Sequence, residues 1–219
     1  RGSGTGCGNE PSTNPRMYIN ELSIDYLDTK IVNFTQRIKG KNVEKSLHLE
    51  YINPKDRKNT GKRMDMSEQV KYKYTINVEG NSAAYRFGGL LGLGFCVLNV
   101  KSRYTLWFEP MLKMKTIDDP DIARAQCILV NTVDEVEATM QWCLKNDDTC
   151  KQIAKNAMTF YEKHFTKDFV YDYVSDLCNT ISGMLQPQKN MYDADNGKLV
   201  KSLRVAPTTT FKSYRQTES

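Results

Sequence analysis

The chain has 219 residues, 39% of them hydrophobic and 26% charged, which suits one large domain with a buried core, or one domain plus appendages. Its net charge of +5 is spread along the chain; a nucleic-acid partner would call for a concentrated basic face, so none is expected, whereas a small anionic ligand fits. The most apolar run, 87–100, is glycine-broken and shorter than the roughly 20 residues of a membrane helix. Residues 1–15, RGSGTGCGNEPSTNP, are dense in glycine and proline and read as a loop. The chain opens on Arg1, inside that loop, and is expected to be a fragment of a longer protein. Pro15 with Met17, Ile19 and Leu22 predicts a short helix starting near Ser12 or Thr13. KIVNF (30–34) reads as a strand. Residues 40–63 are charged and irregular, with a weak strand at 47–52 and a solvated basic loop at Lys55, Arg57, Lys58, Lys62 and Arg63. MSEQVKYK (66–73) predicts a short helix with Ser67 as its cap.

The clearest unit follows. YTINVEG (74–80) is a strand ending in Gly80, residues 82–92 can form a helix, and FCVLNV (95–100) is an apolar strand. Strand, helix and strand within about thirty residues make a right-handed βαβ unit with parallel strands. A near-continuous apolar strand fits a parallel sheet buried on both faces. CILV (127–130) is another short buried strand. Thr132 and Glu135 have capping-box spacing ahead of a helix whose apolar stripe is Val133, Val136, Met140 and either Cys143 or Leu144. A second helix is expected over 148–164 with Ile153, Ala157 and Phe160 inward. A third, over 166–185, presents Phe169, Tyr173, Leu177 and Ile181. Periodicity ends there, so the expected division is a lobe at 1–185 and a polar tail or wrap at 186–219.

The six cysteines form no CxxC pair and have no histidine at zinc spacing. Cys96, Cys127 and Cys143 sit in apolar contexts that favour buried free thiols; a Cys143–Cys150 bridge is the alternative. The two histidines, His48 and His164, stand near no serine or cysteine in a hydrolase arrangement and are expected at the surface. DDPD (118–121) lacks further ligands for a metal. GGLLGLG (88–94) has the wrong spacing and position for a dinucleotide fingerprint, which disfavours a nucleotide-dependent oxidoreductase; its glycines suit close helix–sheet packing.

Two stretches can hold phosphate. RGSGTGCG has alternating glycines but no Walker spacing or lysine. GNSAAYR follows a strand's carboxyl end, where a helix N-terminus would offer free N–H groups to an anion. Ser82, Ala83 and Ala84 permit close approach, and Arg86 can add a bidentate contact. The residues alone serve equally well for an ordinary surface arginine beside a helix.

Four blocks in order resemble the protein O-glucosyltransferase family, which includes capsule-associated xylosyltransferases and lipopolysaccharide-modifying glycosyltransferases. They are RGS, then VKYKYTINVEGNSAAYRFGGLLGLGFCVL, then YTLWFEPMLK, then CILVNTVDEVEATMQWCLKNDD with IAKNAMTFYEKHF, together spanning about 1–185. The resemblance implies an α/β fold: the Rossmann-like C-terminal lobe of a GT-B glycosyltransferase, a parallel sheet with helices on both faces. It implies a metal-independent, inverting enzyme with a UDP-sugar donor, a glycan or protein acceptor, and an N-terminal lobe that this chain lacks. Carried over, Arg1, Ser3 and Arg86 hold the nucleotide-sugar diphosphate, while Glu79, Gly80, Asn81, Ser82, Ala83 and Ala84 line the donor pocket. The family's catalytic carboxylate belongs to the missing half, so no base is assigned. The chain departs from the family where Lys113 is followed by Met114 in place of proline and an aromatic residue, which bears on the acceptor-side rim. The alternative is a non-catalytic carbohydrate- or nucleotide-binding module of the same shape.

Overall fold

The computed structural model describes residues 14–22, 24–33, 61–80 and 82–184, with the backbone of three two-residue strands at 2–3, 192–193 and 198–199. The chain divides into two compact units, Arg1–Glu162 and Lys163–Ser219.

In the first unit, strand β1 (Gly2–Ser3) pairs in parallel with β2 (Ile31–Asn33), in the register Gly2↔Ile31. Between them lies helix α1 (Pro15–Glu21). Its start is set at Asn14, whose Oδ1 accepts from the backbone N–H of Arg16 (3.1 Å) and Met17 (3.4 Å). Pro15 takes the first helical position, where no N–H is needed. The cap is thus one or two residues later than the hydroxyls at Ser12 and Thr13 suggest. The expected strand at 47–52 lies outside the described residues. Helix α2 is only Met66–Gln69, and its cap is Asp65, not Ser67: Asp65 N donates to Glu68 Oε2 at 3.0 Å, closing a capping box.

The main sheet contains β3 (Tyr74–Asn77), β4 (Cys96–Val100), β5 (Met114–Lys115) and β6 (Cys127–Val130) in the order β3-β4-β6-β5, all parallel. The parallel βαβ pairing of the 74–80 and 95–100 strands is therefore present, with register Tyr74↔Cys96 through Asn77↔Asn99. All five residues of β4 are buried, so both faces of the sheet are covered. Cys96, Leu98 and Val100 pack into one cluster with Ile19 of α1, Ile128 and Val130 of β6, and residues of helices α4 (Val136–Lys145) and α5 (Asp147–His164). Helix α3 (Phe87–Leu91) buries Phe87, Leu90 and Leu91 outside that cluster, with Phe87 against Phe108 at 5.5 Å between ring centroids. Full burial of each such side chain contributes about 1.5–3 kcal/mol. The fold is α/β, a Rossmann-like parallel sheet with helices on both faces.

The helix expected over 82–92 is shorter. Residues 82–86 are a turn, with Phe87 N donating to Ala84 O at 2.9 Å, and regular helix occupies only Phe87–Leu91. Three glycines at 88, 89 and 92 carry the highest helix cost of any residue but proline, so the segment sustains little more than one turn. Thr132 caps nothing with its side chain; the turn at Val133–Glu135 is 3-10, and Glu135 reaches Asn131 N at 3.0 Å instead. The α4 stripe resolves in favour of Cys143, which is buried, over Leu144, which is half exposed. In α5, Ile153, Ala157 and Phe160 are buried as expected, joined by Cys150 and Ala154.

All five described cysteines are free, four of them buried. Cys150 Sγ lies 3.9 Å from the Cys143 carbonyl, and the neighbouring thiols of Cys143 and Cys150, together with burial, push the Cys96 thiol well up. These buried cysteines are free, so the Cys143–Cys150 bridge is not formed.

In the second unit, helix α6 (Lys167–Met184) buries none of its residues fully. Its start is capped by Thr166 Oγ1, which accepts from Phe169 N at 3.2 Å, and His164 meets Phe169 edge-to-face at 4.9 Å. Of the expected stripe, Phe169, Tyr173 and Leu177 are half-buried and Ile181 is exposed. Strands β7 (Tyr192–Asp193) and β8 (Lys198–Leu199) pair antiparallel; the rest of the expected tail lies outside the described residues.

Candidate functional site

The site is built where β3 ends. The Lys73 carbonyl, just before β3, accepts from Cys96 N of β4 at 3.0 Å, so carbonyls 73, 75 and 77 face β4 and carbonyls 74, 76 and 78 face outward. Two arginines from different elements dock on that outward edge. Arg86, at the end of the 82–86 turn, places Nη2 3.5 Å from the Ile76 carbonyl. Arg16, in the first turn of α1, donates from Nη2 to the Val78 carbonyl (3.1 Å) and from Nε to the Glu79 carbonyl (2.9 Å). Burial, and then the nearby charge of Arg86, push the Arg16 guanidinium down to about 10, against a partial lift from Glu79. Burial lowers Arg86 as well: the residue keeps open surface, but its guanidinium borders a cleft of about 150 Å³ beside Thr75 and Ile76. Two like charges are thus brought together in a partly desolvated place.

Glu79 behaves differently from a pocket-lining acid. Its side chain is 13% exposed, and Oε2 accepts from Ser102 Oγ (2.6 Å) and Arg103 N (2.9 Å) while Oε1 accepts from Arg103 Nε (3.1 Å). Burial alone would raise its pKa, but the Ser102 and Arg103 hydrogen bonds outweigh it and hold the carboxyl below its ordinary value.

Among the other sequence candidates, Gly80 is buried, Ala83 and Ala84 are half-buried and Ser82 is exposed, with Gly80 N donating to Ser82 O at 3.1 Å. The helix N-terminus expected at 82 lies instead at Phe87, after a turn in which Tyr85 N donates to Ala83 O and Phe87 N to Ala84 O. Ser3 contributes backbone to β1; Arg1 and Asn81 lie outside the described residues. Arg16, Ser102 and Arg103 are missing from the sequence reading. Their contacts span 62 and 63 residues for Arg16 and 23 and 24 for the other two, and no local pattern reports them. Among the described residues no group of three or more histidines, cysteines or carboxylates could hold a metal.

The glycosyl transferase family 90 model matches residues 15–213. The chain belongs to that family. Uncharacterized protein 035R of Invertebrate iridescent virus 3 is 29% identical over 196 residues, covering 86% of this chain and 17% of that protein. Uncharacterized protein 179R of Invertebrate iridescent virus 6 is 24% identical over 216 residues, covering 89% and 17%. Human protein O-glucosyltransferase 1 is 27% identical over 149 residues, covering 66% of this chain and 36% of the enzyme. The chain therefore spans about a sixth of the two viral relatives and about a third of the human one.

Proposed function

We propose that this family 90 chain is the donor-binding lobe of a GT-B glycosyltransferase that moves a sugar from a nucleotide-sugar, UDP-linked, to a glycan or protein acceptor. The observation that carries the reading is the convergence of Arg16 and Arg86 on the outward end of β3, at the carboxyl side of a parallel sheet where α/β folds hold ligands. Arg1, Ser3, Gly80, Asn81, Ser82, Ala83 and Ala84 complete the donor pocket in this reading. In an inverting transfer, the acceptor hydroxyl oxygen forms a bond to the anomeric carbon as the bond to the β-phosphate oxygen breaks. The electron pair leaves on the diphosphate, and the hydroxyl proton goes to a base in the N-terminal lobe. Charge develops on the departing phosphate, and the arginines stabilise it there without a divalent ion.

Calorimetry with UDP tests this. The chain is expected to bind UDP equally with and without EDTA. Arg86→Ala removes a charged hydrogen bond of about 1.5–3 kcal/mol and weakens UDP roughly tenfold to a hundredfold. Arg86→Lys restores part of the loss, since lysine keeps the charge but not the planar fork. Loss of binding on chelation, or an alanine variant that binds as the parent does, overturns the reading.

A further inference from the structure

The carboxyl end of β4 faces the same site. There the Glu79 carboxylate gathers three donors from two consecutive residues: Ser102 Oγ, Arg103 N and Arg103 Nε, at 2.6, 2.9 and 3.1 Å. An ordinary surface ion pair joins two mobile tips. Here the carboxylate is only 13% exposed and also binds the backbone of its partner, so loop and guanidinium are fixed together. Ser102 Oγ in turn accepts from Tyr104 N at 3.0 Å, and the Arg103 guanidinium lies 5.7 Å from the Tyr104 ring centroid. Holding Nε sets the plane of the guanidinium while the side chain remains 62% exposed. Meanwhile the Glu79 carbonyl accepts from Arg16 Nε. One residue therefore organises two arginines, one through its backbone and one through its side chain.

We propose that Arg103 is a further cation for the donor diphosphate, and that Glu79 is the positioning residue that presents it and does not itself touch the donor. Ordering an exposed arginine before the ligand arrives removes an entropic cost that binding would otherwise bear. The inference rests on the donor-site reading above and extends it to a residue that the family resemblance does not supply.

The test titrates the 219-residue chain with UDP and, separately, with inorganic pyrophosphate. Arg103→Ala is expected to weaken both ligands about tenfold while lowering the melting temperature of the unliganded chain only slightly, since the Ser102 Oγ and Arg103 N bonds to Glu79 remain, and Arg103→Lys to lie between. Glu79→Gln weakens UDP in the parent but not in the Arg103→Ala background, where no guanidinium remains to position. An Arg103→Ala chain that binds UDP like the parent, while Arg86→Ala does not, overturns this inference and leaves the donor site standing. Weakening of UDP without weakening of pyrophosphate also overturns it, as does a fall in melting temperature that accounts for the loss. Equal effects of Glu79→Gln in both backgrounds refute the positioning role. A parent chain that binds neither ligand removes both readings together.

Discussion

Glu79, Arg16 and Arg86 show what single residues reveal and conceal. Arg86 is visible in the sequence as a lone cation before an apolar stretch, because its neighbours in the chain are also its neighbours in space. Arg16 is not, because nothing near Pro15 records that its guanidinium reaches a strand end 62 residues away. Glu79 is visible as a strand-end acid, but its partners at 102 and 103 are not. Those partners carry a pH dependence. The folded Glu79 binds its proton less readily than the unfolded one, so its contribution to stability is complete above the ordinary glutamate range, about pH 4.3. It is lost as the pH falls through the lower folded value, since the unfolded chain then holds the extra proton. Thermal unfolding of the parent followed from pH 6 to pH 3 should fall more steeply than that of Glu79→Gln. Parallel curves would show that the three hydrogen bonds contribute nothing.

At the scale of elements, long periodic segments are legible and short ones are not. α5 follows its apolar spacing almost to the residue, and β4 declares itself by uninterrupted burial. β5 has two residues, Met114 and Lys115, too few to show any period, and it joins the sheet only through Cys127 and Ile128 of β6. The glycines at 88–94 are expected to allow close packing, and they divide. A Cβ on Gly89 would meet nothing within 4 Å, whereas one on Gly92 would lie 2.6 Å from Cδ1 of Tyr161. Gly94 instead serves the turn into β4 with φ of +81°. Gly92→Ala should cost about 1–3 kcal/mol as an overpacked contact, read as a lower urea midpoint, and Tyr161→Ala in the same chain should recover part of it. If the two substitutions add without interaction, the ring is not what excludes the methyl group.

For the whole molecule, fold class is legible because each level agrees: an apolar strand, a short crossover helix and a second strand admit one handedness and one parallel pairing. The stretch after 185 carries no such agreement, and deleting 186–219 is expected to lower the melting temperature by only a few degrees in scanning calorimetry. A loss of tens of degrees would place part of the core there. Among the described residues β3 is one margin of the main sheet, and its outward carbonyls at 76 and 78 are covered by the guanidiniums of Arg86 and Arg16. An uncovered strand margin invites a second chain to pair with it. The cations assigned to phosphate therefore also guard solubility: replacing both with alanine should yield a protein that self-associates with rising concentration, even when every buried contact is intact.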